Sequence, residues 1–409
     1  MENVLDVLRE RGFVQQVSDE DQLRALVGRE AITLYWGYDA TAPSLHIGSL
    51  MSIMMLAWFQ RFGHRPIALA GGGTTLIGDP SMRITSRPML SQEQIAENLR
   101  SIEGQLGAFL DFSDGRALAL NNAAWLTKLN FIAFMRDIGS RFSVNDVLRL
   151  EAYRTRLEAG GLTFLELSYV LMQSYDFLHL YQKFGAVLQV GGSDQWGNSV
   201  EGADLIRRVT GGEAYVLVTP LFETAEGAKM GKTATGAIWL DAQLTSPYEY
   251  YQYWRNTDDR DVERFLAIYT FLPMEEVRAL GKLHGAELNQ AKEVLAFEAT
   301  KLLHGETAAR EAQDAARALF AGGGSGENVP TTEIACDQLA EGMPVTDLFK
   351  TAGLVTSANE ARSLIAQNGL AINGEPVADP RARIDLTALD GSSLMLSRGR
   401  KRHMRVVCK

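Results

Sequence analysis

The chain has 409 residues, 46% of them hydrophobic and 22% charged, with a formal net charge of −10, the balance of an ordinary globular protein long enough for two or three domains. Its longest strongly apolar stretch, residues 50–59, falls far short of the roughly 20 residues that cross a bilayer, which excludes a transmembrane helix. Cys336 and Cys408 stand in no CxxC or Cys/His spacing, so reduced thiols and no zinc site are expected.

Residues 1–10 pattern as a charged amphipathic helix without a basic head and apolar run, so export is not expected. Residues 32–36 read as a strand, residues 47–61 as a helix, and residues 66–70 as a second strand ending in Gly71-Gly72-Gly73. Continuous hydrophobicity at residues 186–190 suits a parallel strand covered on both faces. The expected fold class is therefore α/β: a doubly wound, Rossmann-like parallel sheet over residues 1–225, with its ligand crevice at the carboxyl ends of the strands. Residues 226–320 turn into a loop and then an α-helical domain, residues 321–342 open on Ala321-Gly322-Gly323-Gly324-Ser325-Gly326 as a flexible linker, and residues 343–409 form a small α+β domain with a turn at Asn373-Gly374. The acidic total argues against a nucleic-acid partner, but the distribution of charge points the other way. Residues 343–409 carry 10 Lys/Arg against 6 Asp/Glu, a balance of +4, leaving −14 for the first 342 residues. The cluster Arg398, Arg400, Lys401 and Arg402 suits phosphate contact as well as it suits a solvated basic terminus.

Several polar positions along these elements are candidates for chemistry. His46 precedes a long helix, where its imidazole and the free N–H groups of the first turn can face an anion together. Gly73-Thr74-Thr75-Leu76-Ile77-Gly78-Asp79 spaces its glycines like a phosphate loop, yet Asp79 replaces the obligatory lysine and is suited to a cation such as an ammonium group. Arg83 and Arg87 follow it, as phosphate clamps or as a solvated charged turn. Tyr169, Gln173 and Asp176 share one face of a helical run, either as an intrahelical network on a solvated face or as a buried stripe completed by a polar ligand. In Gly191-Gly192-Ser193-Asp194-Gln195-Trp196 the glycines admit a ligand to the backbone and Asp194 can accept two ribose hydroxyls. Arg207 and Arg208 form an exposed basic pair, and Lys229 with Lys232 puts two ammonium groups within reach of one polyphosphate.

The segment Leu45-His46-Ile47-Gly48-Ser49, followed far downstream by Lys229-Met230-Gly231-Lys232-Thr233, resembles the paired nucleotide signatures of class I aminoacyl-tRNA synthetases. Tyr35-Trp36-Gly37-Tyr38-Asp39-Ala40-Thr41, Ile77-Gly78-Asp79-Pro80-Ser81, residues 168–176 and residues 191–198 narrow the resemblance to tyrosyl-tRNA synthetases of the bacterial type over nearly the whole chain. Residues 357–377 resemble the alpha-L RNA-binding fold. The resemblance implies ATP-driven activation of tyrosine and its transfer to tRNA(Tyr), with magnesium arriving on ATP and no protein metal site. It implies that Tyr35 and Asp176 bind the phenolic hydroxyl, that Asp79, Tyr169 and Gln173 hold the α-ammonium group, and that Asp39 and Gln195 lie near the reacting end. Thr41 and His46 would meet the γ-phosphate, while Lys229, Lys232, Thr233, Arg83 and Arg87 would stabilise departing pyrophosphate. Trp36, Gly37, Gly48, Ser49, Ser52, Gly192 and Asp194 would surround the nucleoside, Ser49 standing where the family commonly has a second histidine. Arg207 and Arg208 would meet the acceptor stem and the basic tail the rest of the tRNA. The family also implies a cytoplasmic homodimer with Phe164 at its interface, and neither DNA nor membrane as a partner. The rivals are a tryptophanyl enzyme of the same architecture and a synthetase-derived RNA-binding protein without activity.

Overall fold

The computed structural model describes residues 3–81, 91–221, 223–227, 230, 232–233, 236–320, 331–389, 393–399 and 402–409. Its apolar β-rich runs become the strands β1 (Gln16–Val17), β2 (Thr33–Tyr38), β3 (Arg65–Ala70), β4 (Leu118–Asn121), β5 (Ala186–Gly192) and β6 (Tyr215–Thr219). They form one sheet in the order β1-β6-β5-β2-β3-β4. Neighbours run parallel except β1, which pairs antiparallel with β6 at the edge. Helices cover both faces of the inner strands, which is why these read as unbroken apolar runs; every residue of β6 is buried. From β2 the chain adds β3 and β4 on one side, then returns to add β5 and β6 on the other. The strand ends diverge at that reversal, and a crevice opens beyond the carboxyl ends of β2 and β5.

The helix expected over residues 47–61 begins as a short 3-10 turn, Ile47–Ser49, and continues as the α-helix Leu50–Arg61, whose first ten residues are all buried. The helix carrying Tyr169 runs Phe164–Phe184. A capping box between Thr163 and Glu166 starts it, and Gly185 stops it in the left-handed region at φ 69°.

Arg11, only 4% exposed, donates to the carbonyls of Ala267 at 2.8 Å, Thr270 at 3.2 Å and Leu272, at and just beyond the end of the helix Val262–Tyr269. Its guanidinium also lies over the Trp58 ring at 4.2 Å. Helix-end carbonyls have no intrahelical donor, so this buried cation satisfies acceptors that the helix itself leaves open. Arg11→Ala is expected to cost about 3 kcal/mol, read as a lower urea midpoint with an unchanged slope.

The chain divides into two compact units, Met1–Asp241 with Asp258–Leu283, and Ala242–Thr257 with His284–Lys409. Within the second unit the helix Pro247–Arg255 packs along the helical stretch Leu288–Phe320, which breaks at Gly305 (φ 86°). Tyr250 meets His304 edge-on at 5.2 Å. The tail forms a sheet of its own in the order Glu375–Pro376, Leu370–Ile372, Ser393–Arg398, Arg402–Cys408 and Thr331–Ile334. It closes on a separate core that includes Leu348, Phe349, Ile365, Leu394, Leu396 and Val406. Asn373 (φ 50°) and Gly374 (φ 86°) make the expected tight turn between Leu370–Ile372 and Glu375–Pro376.

Two expectations for the tail are corrected by one strand pair. Thr331–Ile334 pairs in parallel with the terminal strand, so residues 331–334, expected inside a linker that extends to 342, belong to the tail sheet; residues 321–326 lie outside the described residues. The same pairing sets Cys408 opposite Ile334 and brings Cys336 within 5.0 Å of it between Cα atoms. The two cysteines, expected as reduced thiols, therefore form a disulfide. A sequence separation of 72 residues hides that register. Among the described residues no helix is long and apolar enough to cross a membrane.

Candidate functional site

A cavity of about 440 Å³ occupies the crevice where β2 and β5 part. Its walls include Tyr35, Trp36, Gly37 and Asp39 from β2 and the turn after it, and Gln189, Gly191, Gly192, Asp194 and Gln195 from β5 and the turn after it. Gly48, Ser49 and Ser52 enter from the start of the Leu50–Arg61 helix region, Asp79 from the glycine-rich turn, and Tyr169, Gln173 and Asp176 from the Phe164–Phe184 helix. The polar stripe on that helix thus faces the cavity rather than a solvated surface. Four aspartates and no basic side chain line the cavity among the described residues.

Asp176 is 2% exposed and accepts from Asn122 Nδ2 at 2.8 Å and from Trp125 Nε1 at 2.7 Å. Burial is the larger influence and raises its pKa to about 7, with the two donors pulling the other way. The Tyr35 hydroxyl is buried without a partner, and burial together with the charge of Asp176 raises its pKa well above the usual phenol value. A buried hydroxyl beside a buried carboxylate with spare acceptor capacity calls for a ligand carrying a hydroxyl of its own. Asn122 ties this pair to the glycine turn: its Oδ1 accepts from Gly73 N at 2.7 Å while its Nδ2 also donates to Thr74 Oγ1 at 3.0 Å. Trp125 is stacked on His179 with centroids 4.3 Å apart, which orients its N–H. Sequence reading missed Asn122 and Trp125 because they follow β4, more than 50 residues from Asp176, in no motif. Trp125→Phe keeps the stacking ring and removes the donor to Asp176; it is expected to weaken binding of a hydroxyl-bearing ligand beside Asp176 by roughly 10- to 30-fold, read by equilibrium dialysis.

A second polar group gathers around Asp79. Its Oδ1 accepts from Ser81 N at 2.9 Å and its Oδ2 from Gln195 Nε2 at 2.8 Å; Gln195 Nε2 also reaches Asp194 Oδ2 at 3.2 Å. Gln173 Oε1 is buried without a partner, and Tyr169 is 6% exposed. Asp79, Tyr169 and Gln173 thus bring oxygen atoms together on one side of the cavity. Buried Gln189 adds another unpartnered carbonyl oxygen to the wall and was also missed.

The expected nucleotide residues line the same cavity. A Cβ on Gly192 would lie 2.6 Å from Asp194 Oδ1, so glycine keeps that carboxylate at the rim. A Cβ on Gly48 would lie 2.6 Å from the His46 ring and 2.8 Å from the Met230 carbonyl oxygen, so this glycine accommodates the downstream loop as well as any ligand. His46 caps the short turn, its Nδ1 accepting from Gly48 N at 3.0 Å, and its backbone bridges to Trp239. Neither His46 nor exposed Thr41 lies among the cavity walls. Lys232 and Thr233 form a short strand paired with Gly236–Ala237. Lys229, Arg83 and Arg87 lie outside the described residues.

Of the expected RNA contacts, Arg207 and Arg208 both pair with Asp204, at 2.8 and 3.2 Å. Arg398 donates to Glu360 at 2.8 Å and to the Leu354 carbonyl at 2.9 Å, an internal tie. Arg402 begins the terminal strand, and Arg400 and Lys401 lie outside the described residues. Phe164 is 65% exposed, as are Phe131 at 64% and Ile132 at 71%.

Residues 28–321 match the family described as tRNA synthetases class I (W and Y), and residues 324–406 match the tyrosine–tRNA ligase SYY-like C-terminal domain. The chain is 50% identical to the tyrosine–tRNA ligase of Caldanaerobacter subterraneus subsp. tengcongensis over 407 residues, covering 100% of both proteins. It is 50% identical to that of Clostridium tetani over 405 residues, covering 99% of each. Among solved structures, a C-terminally truncated mitochondrial tyrosyl-tRNA synthetase of Aspergillus nidulans matches with a TM-score of 0.71 at 30% identity, over 78% of this chain and 95% of that one. A tryptophanyl-tRNA synthetase of Aeropyrum pernix, 15% identical with a TM-score of 0.52 over 76% of this chain and 90% of that one, shares the fold alone.

Proposed function

This chain belongs to the class I tRNA synthetases (W and Y) and is a tyrosine–tRNA ligase, and we propose how its cavity divides the work of activating tyrosine with ATP and passing the tyrosyl group to the 3′ end of tRNA(Tyr). The observation that carries the reading is the buried pair of Tyr35 and Asp176. A phenol that donates to Asp176 and accepts from Tyr35 satisfies both. An indole N–H donates but accepts nothing, and would leave the Tyr35 hydroxyl orphaned, which disfavours tryptophan.

With the phenol there, the α-ammonium group falls to Asp79, Tyr169 and Gln173, leaving the carboxylate directed toward Asp39 and Gln195. One carboxylate oxygen attacks the α-phosphorus of ATP; the new C–O–P linkage forms as the bond to the β-phosphate oxygen breaks, and pyrophosphate leaves with that electron pair. No side chain becomes covalently attached. Trp36, Gly37, Ser49, Ser52, Gly192 and Asp194 hold the nucleoside, with Gly48 leaving room for it. A cavity of aspartates needs cations to accept a polyanion, and the reading assigns that task to Lys229, Lys232, Arg83 and Arg87, with Thr41, His46 and Thr233 at the phosphates and magnesium arriving on ATP. In the second step the 3′-terminal ribose hydroxyl of tRNA attacks the tyrosyl carbonyl and AMP departs. The basic tail serves tRNA, with Arg207 and Arg208 at the acceptor stem. Exposed Phe164, Phe131 and Ile132 support a homodimer, and a cytoplasmic location accords with this role.

ATP–pyrophosphate exchange is the test. Exchange that depends on tyrosine is expected; exchange supported by tryptophan, or none with any amino acid in folded protein, would overturn the reading.

A further inference from the structure

The segment between Ala225 and Ile238, which holds Lys229 and Lys232, is tied to the first unit at both ends. At its exit, Ile47 N donates to the Ile238 carbonyl at 3.0 Å and Leu240 N to the Leu45 carbonyl at 2.9 Å, around the His46–Trp239 bridge. This backbone pairing binds it to the His46 segment. At its entry the tie is made by side chains from a helix more than 30 residues downstream. Asp261, 2% exposed, accepts from Ala225 N at 2.8 Å through Oδ2 and from Arg264 through Oδ1, and Arg264 in turn donates to the Glu223 carbonyl at 2.7 Å.

Asp261 occupies the N-cap position of the helix Val262–Tyr269 but makes no side-chain cap to it. An aspartate there ordinarily accepts from the first-turn N–H groups of its own helix. Here both oxygens are committed elsewhere, one to the loop stem and one to the arginine that holds the same stem. A carboxylate taken out of water and turned from its local role serves the group it faces.

We propose that Asp261 and Arg264 are positioning residues for the activation step: they fix the entry stem so that the lysines beyond it reach the departing pyrophosphate. The proposal rests on the assignment of those lysines above. Because the interaction matters when charge develops on the leaving group, its loss should appear in kcat and leave amino-acid binding alone.

Asp261→Ala is expected to lower kcat for tyrosine-dependent exchange by roughly 10- to 50-fold with the Kd for tyrosine, from equilibrium dialysis, within about twofold. Asp261→Asn keeps an acceptor for Ala225 N and should recover part of that loss. Arg264→Met, which leaves the bond between Asp261 and Ala225 in place, should lower kcat by roughly threefold. The decisive measurement is coupling: in a Lys232→Ala background Asp261→Ala should cost little more. An unchanged kcat, a parallel loss of tyrosine binding, or full additivity with Lys232→Ala overturns the proposal. Should Asp261→Ala fail to fold, Arg264→Met and its coupling to Lys232→Ala decide by the same criteria. Exchange that survives Lys232→Ala alone would instead refute the role given to the lysines.

Discussion

Asp176→Ala is expected to lower kcat/KM for tyrosine in ATP–pyrophosphate exchange by roughly three to four orders of magnitude in a protein that remains folded. The substitution removes the acceptor of Asn122 and Trp125 and, on the assignment proposed above, of the incoming phenol as well. Each buried donor left without an acceptor costs about 1–3 kcal/mol, and the substrate's hydroxyl would have to leave water for a site that no longer receives it. Phenylalanine in place of tyrosine removes the same contact from the substrate's side, leaving the Tyr35 hydroxyl without its partner. The variant's loss should therefore be far smaller with phenylalanine than with tyrosine. A variant within tenfold of wild type for tyrosine would show that the carboxylate is structural only.

The same residue gives a pH signature. Its folded pKa stands near 7 against 3.8 for the free side chain, so the folded protein holds this proton more tightly than the unfolded chain does. The stability it contributes is complete below about pH 4 and is lost as pH rises through about 7, in total on the order of 4 kcal/mol. Asp176→Ala should flatten that part of the profile in urea unfolding between pH 4 and 8. A phenol that donates to the ionised carboxylate releases the proton on binding, so tyrosine affinity should rise with pH over the upper part of this window. Tyrosine binding measured in two buffers of different ionisation enthalpy would detect the release; identical heats would count against it.

The legibility of this site in sequence follows the range of each interaction. Local periodicity placed Tyr169, Gln173 and Asp176 on one helical face, yet whether that face met solvent or sheet depended on packing across the fold, which the stripe alone does not encode. The parallel strands were readable because burial on both faces writes an unbroken apolar run, and the crevice followed from where such strands must reverse order. Asn122 and Trp125 were hidden because their contact with Asp176 is made by a turn more than 50 residues away whose composition carries no motif. The cysteine pair was hidden in the same way, by the register of strands at opposite ends of the tail. The resemblance implies Gly48 beside the nucleoside, while the structure adds the approach of the Met230 carbonyl from the downstream loop, which no local pattern encodes.

Ending the chain after Gly326 should leave tyrosine-dependent exchange within about twofold while tRNA charging falls by roughly a hundredfold or more. Among the described residues, none of the cavity's walls comes from residues 331–409, and that stretch closes on a core of its own, so truncation is expected to spare the chemistry of activation. What is lost is the basic end of an otherwise acidic chain, the part whose charge can attract a polyanion. That attraction must weaken with salt: each phosphate contact adds about 0.7–0.9 to the slope of log affinity against log salt, and the truncated chain should show a much shallower slope. Within the tail the residues divide. Arg398 is tied to Glu360 and to the Leu354 carbonyl, so Arg398→Ala should first lower the stability of the tail. A joint Arg400→Ala and Lys401→Ala replacement should instead lower charging and flatten the salt slope. Charging that survives truncation would transfer RNA recognition to the residues before 326, and exchange that collapses on truncation would mean that the tail is part of the activation machinery after all.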